Sequence, residues 1–228
     1  MSICVPQRWQ RMWSAASSLI PGDSSPVCYD PRVIPAIVLA AGRSSRMGRH
    51  KANLTIGTRD TFLSRIVRTF RMAGVDDVVV VVGFDPAAIL AAFSKTGETA
   101  RFVENPDFDR GQLSSLLKGV NAIDRPGVVA ALVTLVDVPL FSEETVRAVV
   151  SRYRENRAPV VRPVRGAQHG HPVLIDRSLF DEIRRADPAV GAKSIVRANA
   201  SAAGDVEVDD EGAFVDIDTE SDYERLLP

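Results

Sequence analysis

The 228-residue chain has a formal net charge of −1 and a pI near 6.3, so no overall basic field favours nucleic acid or an anionic membrane surface. With 45% hydrophobic residues it can build one sizeable core. No run approaches the roughly 20 apolar residues of a membrane span, and the N-terminus lacks the apolar segment of a secretory signal, which points to a cytoplasmic protein.

Residues 1–32 mix Pro6, Pro21, Pro26 and Pro31 with serines and carry Arg8, Trp9, Arg11 and Trp13. The prolines and the lack of a long apolar period predict a flexible or weakly docked extension ahead of a single domain over 33–228. Cys4 and Cys28 both fall in this extension, with no further ligands arranged around them as a zinc site needs. Neither a disulfide framework nor a metal cluster is expected there.

Ala36 to Ala40 is apolar on consecutive positions, as in a strand buried on both faces of a parallel sheet. The run breaks at Gly42 into Arg43-Ser44-Ser45-Arg46-Met47-Gly48-Arg49-His50-Lys51. Glycines here let successive N–H groups approach an anion, and the arginines and Lys51 add positive charge, so the segment reads as a phosphate loop. It is not a Walker loop, because five residues rather than four separate Gly42 from Gly48 and Lys51 comes three later. Ser44 at the second glycine position also excludes the G-x-G-x-x-G dinucleotide fingerprint.

From Leu39 to Lys51 the segment resembles the L-A-A-G-x-S-x-R-M-G-x-x-K signature of the MobA-like nucleotidyltransferases, and within them the molybdenum cofactor cytidylyltransferase group. The resemblance implies a Rossmann-like three-layer α/β/α fold of the nucleotide-diphospho-sugar transferase type, with a mostly parallel sheet. It also implies nucleotide contacts from Leu39, Ala40, Ala41, Gly42, Arg43, Ser44, Ser45, Met47 and Gly48, and catalytic roles for Arg46 and Lys51.

Downstream, strand and helix patterns alternate as βαβ units do. Leu63, Ile66, Val67 and Phe70 recur at helical spacing, with Gly74 as a stop. Val78–Val82 reads as a buried strand, Pro86–Phe93 as a short helix and Arg101–Val103 as a short strand. Gly111–Ile123 then opens a helix after the loop Asn105-Pro106-Asp107, and a helix start offers free N–H groups to an anion. Gly111, Ser114 and Ser115 match the family's G-x-S-S-S-L nucleotide-contacting segment, whereas Leu113 departs from it; ordinary capping is the competing explanation.

Val128–Val136 is a long apolar run that delivers Asp137-Val138-Pro139. A carboxylate at the carboxyl end of a buried strand can hold a hard cation over a triphosphate, or can simply cap a turn. It resembles the family's metal-binding L-x-D-x-P segment. Glu143–Asn156 is helical in composition and Val160–Val164 extended, and short strands and helices alternate beyond. His169-Gly170-His171-Pro172-Val173 lacks the ligand count of a zinc site. Its resemblance is to a G-H-P-V segment on the acceptor side, which assigns His171 there. Gly191-Ala192-Lys193-Ser194 likewise resembles G-A-R-S, with Lys193 in place of a bidentate arginine.

Phe214 to Thr219 alternates apolar and acidic residues, as a strand with Asp216 and Asp218 on one face would. The match to the family's D-I-D-T-x-x-D segment implies a second metal ligand in Asp216 or Asp218, with Mg²⁺ shared by Asp137. Together these features predict transfer of a nucleotidyl group from an NTP, CTP by the resemblance, to molybdenum cofactor, with a recipient molybdoenzyme as a further partner. Guanylyl or sugar-phosphate nucleotidylyl transfer, and a non-catalytic cofactor-binding chaperone, are the alternatives.

Overall fold

The computed structural model describes residues 32–43, 47–57, 60–188 and 191–226. The N-terminal extension with both cysteines, and Ser44, Ser45 and Arg46 of the loop, lie outside them.

The chain begins with β1 (Ala36–Ala40), whose five residues are all buried. A single tight turn at Lys51–Asn53 leads into the hairpin β2 (Thr55–Ile56) and β3 (Asp60–Thr61). Helix α1 (Phe62–Met72) opens on a capping box in which the Ser64 N–H donates to the Thr61 hydroxyl and the Thr61 N–H to the Ser64 hydroxyl. Then follow β4 (Val78–Val82), α2 (Pro86–Phe93), β5 (Arg101–Glu104), α3 (Gln112–Ile123) and β6 (Ala130–Leu135). The remaining elements are α4 (Glu143–Asn156), β7 (Val160–Arg165), β8 (Gln168–His169), β9 (Val173–Asp176), α5 (Phe180–Arg185), α6 (Ala192–Asn199), β10 (Asp205–Glu207) and α7 (Glu220–Glu224).

The main sheet runs in the order β10-β7-β9-β6-β1-β4-β5, with β8 paired to β7. Pairs β4–β1, β1–β6, β4–β5 and β7–β10 are parallel, while β9 runs antiparallel between β6 and β7. Because β1 and β4 are central, they bury both faces. Ala36, Val38 and Ala40 belong to the core under α1, α2 and α4, and Ile37 and Leu39 to the core under α3, α5 and α6. Gly119 brings α3 close to β1, since a Cβ there would lie 2.6 Å from Ile37 Cγ2. The result is the expected three-layer α/β/α architecture. No described helix is long and apolar enough to cross a membrane.

One expectation is corrected. Phe214 to Thr219 is not a strand: a single turn at Glu211–Phe214 is followed by extended chain with no strand partner. Ile217 still faces inward, 1% exposed, with Asp216 and Asp218 outward, because a small core recruits it rather than a sheet edge. The apolar run at 128–136 also shortens to Ala130–Leu135 as the paired strand.

The order of connections sets the position of the site. From β1 the chain moves outward to β4 and β5, then returns across β1 to β6 on its other side. The loops leaving β1 and β6 therefore diverge, and a crevice opens between their carboxyl ends. Residues 41–43 leave β1 there, and Val136-Asp137 leaves β6.

Candidate active site

Two adjoining clefts occupy this crevice. The first, about 320 Å³, is lined by Leu39, Ala40, Ala41 and Gly42 from the end of β1, by Lys51, by Gly111 and Ser115 at the start of α3, and by Asp137. The second, about 430 Å³, takes in His171, Lys193 and Asp216. Leu39, Gln112 and Leu135 line both. Residues chosen from six separate segments of the sequence thus converge on one connected space.

Lys51 stands at the centre. Its side chain is 10% exposed, and its Nζ donates to Asp137 Oδ2 at 3.1 Å and to Asp218 Oδ1 at 2.5 Å. The backbone explains the convergence: the Ile217 N–H donates to the Asp137 carbonyl at 2.8 Å, so the C-terminal segment is tied directly to the end of β6. Met47, Leu54, Phe62, Ile217 and Tyr223 form a small core beneath the loop. Met47 is therefore a packing residue that seats the phosphate loop against the C-terminal segment. Arg49 reinforces the joint by pairing with Glu220 and stacking over Tyr223, 5.0 Å from the ring centre.

Negative charge is in excess here. Burial pushes the Asp216 carboxyl above its usual range and the charge of Asp137 pushes it further. Asp137 Oδ1 is sealed from solvent and has no hydrogen-bond partner among the described residues. Burial lowers the His171 imidazole, against the opposing pull of the Val133 carbonyl and of Asp216 and Asp137. A divalent cation would relieve the crowding of carboxylates and give the orphaned Asp137 oxygen a partner, so the donor set fits a hard cation. Among the described residues no three His, Cys, Asp or Glu side chains close into a metal cage.

Other expected residues sit differently. Arg43 turns away from the cradle, making two bonds to Asp109 at 2.9 and 2.7 Å and lying 5.1 Å from the ring centres of both Phe84 and Phe108. Gly48 adopts φ 63° at the loop's exposed turn and does not line either cleft. Gly111, at φ 95°, caps α3 without any side-chain cap, and with Gln112 and Ser115 it brings the start of the helix to the first cleft. Ser114 donates to the carbonyls of Gly111 and Asp107 and lines neither cleft, whereas Ser115 does line the first.

Sequence reasoning missed several participants. Asn105 is fully buried and donates to Ser114 Oγ at 2.9 Å and Ser115 Oγ at 3.0 Å, fixing the start of α3. Its place in an Asn-Pro-Asp loop was the available signal. Gln112, shared by both clefts, occupies the unspecified position of the G-x-S-S-S-L segment, and Arg197, on α6 in the second, follows the G-A-R-S segment without belonging to it.

Comparison with known proteins identifies the family. Residues 36–203 match the MobA-like NTP transferase domain. The chain is 31% identical over 202 residues to a probable molybdenum cofactor guanylyltransferase of Mycolicibacterium paratuberculosis, covering 86% of this chain and 96% of the relative. It is 28% identical over 200 residues to nicotine blue oxidoreductase of Paenarthrobacter nicotinovorans, covering 85% and 96%. To the molybdenum cofactor cytidylyltransferase of Escherichia coli it is 23% identical over 191 residues, covering 83% and 93%. Among solved structures, Rv0371c of Mycobacterium tuberculosis superposes with a TM-score of 0.71 at 28% identity over 86% of this chain and 97% of that one. A second structure of Rv0371c, in complex with manganese, gives 0.68 at 26% identity, over 86% and 98%. By the domain match, the relatives and the shared fold, the chain belongs to the MobA-like NTP transferase family and is a nucleotidyltransferase.

Proposed function

We propose that the protein transfers a cytidylyl group from CTP to the phosphate of molybdenum cofactor, in the cytoplasm, for delivery to a molybdoenzyme. The observation that carries this reading is Lys51 in the lining of the first cleft, set between Asp137 and Asp218. The first cleft takes the nucleotide, with its triphosphate against the loop from Gly42 to Lys51 and the N-terminus of α3. The second takes the acceptor, with His171 and Lys193 in its lining.

Asp137 with Asp216 or Asp218 would hold Mg²⁺, which supplies charge neutralisation at the phosphates when bound. An acceptor phosphate oxygen attacks the α-phosphorus, a new P–O bond forms, and the bond to the β-phosphate breaks with its electron pair leaving on pyrophosphate. No proton has to be abstracted, because the nucleophile is already an anion. Positioning and charge neutralisation by Lys51, with Arg46 of the same loop, therefore supply most of the rate.

Choice of CTP rests on Ala41, whose methyl lines the first cleft where glycine would leave more room. GTP is the second reading, favoured by the higher identity to the guanylyltransferase relative. Thermal stabilisation by CTP, GTP, ATP and UTP, each with and without Mg²⁺, tests the nucleotide, because a ligand that binds the native state raises Tm by mass action. A Mg²⁺-dependent shift with CTP alone, followed by CTP-dependent pyrophosphate release with molybdenum cofactor, is the expected result. A shift with GTP alone moves the substrate, and no shift with any nucleotide overturns the reading.

A further inference from the structure

The two sides of the carboxylate cluster come from segments that no strand pairing joins. Asp137 opens residues 137–142, the loop between β6 and α4, and Val138 and Phe141 fix that loop to the core. Asp216 and Asp218 lie in residues 209–218, between β10 and α7, where only Ala213 and Ile217 are buried. A stretch with so little burial opens readily unless polar bonds fasten it.

The fastening runs along the first segment. The Ile217 N–H donates to the Asp137 carbonyl at 2.8 Å. Gly212 passes so close to Leu140 that a Cβ on it would lie 2.2 Å from the Leu140 carbonyl oxygen. Asp210 then meets the start of α4: its Oδ2 accepts the Ser142 N–H at 2.8 Å, the Ser142 hydroxyl at 2.9 Å and the Thr145 hydroxyl at 2.5 Å. Contacts of 217 with 137, 212 with 140 and 210 with 142 set the two segments side by side in opposite directions. Thr145 is buried, so its hydroxyl requires a partner inside the protein, and a carboxylate at a helix start also suits the positive end of the helix dipole. The other oxygen of Asp210 accepts the Gly212 N–H at 3.1 Å and shapes the turn that follows. Of the three contacts, the first two are made by main chain, and Asp210 supplies the one made by a side chain.

We propose that Asp210 is a positioning residue for the reaction: it anchors residues 209–218 to the start of α4 and so sets Asp216 and Asp218 at their distance from Asp137. It lies in the lining of neither cleft and acts only through the segment it holds. The inference deepens the proposed function and rests on it for the metal role of the aspartates.

Mn²⁺ alone is the probe, titrated into the full chain and followed by the electron paramagnetic resonance of the free ion. Asp210→Ala should weaken Mn²⁺ binding about tenfold, the lower end for losing a group that orients metal ligands. Asp210→Asn keeps one carbonyl oxygen and should recover part of the loss. Thr145→Val removes a donor from the α4 side and leaves the Asp210 turn intact; it should weaken Mn²⁺ binding too, and add nothing when combined with Asp210→Ala, because the two side chains form one contact. These milder variants carry the test should Asp210→Ala fail to fold. Asp77→Asn breaks an ion pair just before β4, at the end of the sheet away from the crevice, and should lower Tm with Mn²⁺ binding unchanged. In turnover, Asp210→Ala should need more Mg²⁺ for half-maximal rate at an unchanged KM for nucleotide. Equal Mn²⁺ affinity in wild type and the Asp210 variants overturns the positioning role and leaves the proposed function standing. An equal loss in Asp77→Asn does the same, since the effect would then be one of stability. A chain whose Mn²⁺ affinity follows Asp210 yet which releases no pyrophosphate with any nucleotide keeps the positioning role and loses the proposed function. A wild type that binds no Mn²⁺ overturns the positioning role together with the metal assignment.

Discussion

Lys51 shows how one side chain can organise a site before any ligand arrives. Its ammonium stands between two carboxylates that would otherwise repel, so it keeps Asp137 and Asp218 in register. Lys51→Ala should lose about 10²–10³ in kcat, the range for removal of one charge-stabilising donor, measured by pyrophosphate release. Retained turnover would remove Lys51 from the mechanism. Asp137→Asn should raise the Mg²⁺ concentration needed for half-maximal rate as well as lower kcat; a magnesium titration superimposable on the wild type would place the metal elsewhere. At this scale the motif from Leu39 to Lys51 was legible because it states both backbone freedom and charge. The direction each side chain takes was not. Arg43 faces Asp109, and Met47 faces a core that takes in Ile217 and Tyr223, more than 160 positions later. Neither partner is implied by the loop's own sequence.

Elements were legible where burial imposed a period. Five consecutive valines at 78–82 could only be a strand buried on both faces, and α2 and α4 begin and end where composition suggested. The two-residue strands β2 and β3 are too short to carry any period, and the antiparallel direction of β9 leaves no trace in its four residues. The alternation at 214–219 imitated a strand because extended chain with one side facing a core has the same period, whether or not a neighbouring strand pairs with it. Close contact between α3 and β1 makes a sharper test of packing. Gly119→Ala should destabilise the protein by about 1–3 kcal/mol in urea unfolding, since the added methyl must displace Ile37 within a filled core. An unchanged midpoint would mean that α3 shifts freely, and with it the helix start that lines the nucleotide cleft.

Across the whole molecule, ion pairs tie the outer parallel strands to the helices behind them. Asp77 bonds Arg101 on β5 at 2.9 Å and Arg125 beyond α3 at 2.7 Å. Burial pushes this carboxyl up, but the two guanidiniums outweigh it by hydrogen bonding and charge, so its pKa lies below the ordinary value. A depressed native-state pKa gives stability that is present above the unfolded value of about 4 and lost as pH falls through the native value. Asp77→Asn should therefore lower Tm at pH 7, with the difference from wild type shrinking below about pH 4. A difference constant across pH would assign the effect to packing. The layered fold was legible from alternating patterns, whereas the pairing of distant charges depends on strand order and was not.

The Ile217 bond to the Asp137 carbonyl has a consequence in time as well as in space. Every paired strand of the sheet lies before residue 208, yet Asp216 and Asp218 come after it. A chain emerging from the ribosome, folding from its N-terminal side, can thus assemble its sheet while still lacking Asp218, one of the two carboxylates that hold Lys51. The sheet is therefore complete before the segment that we propose to help hold the metal has been made.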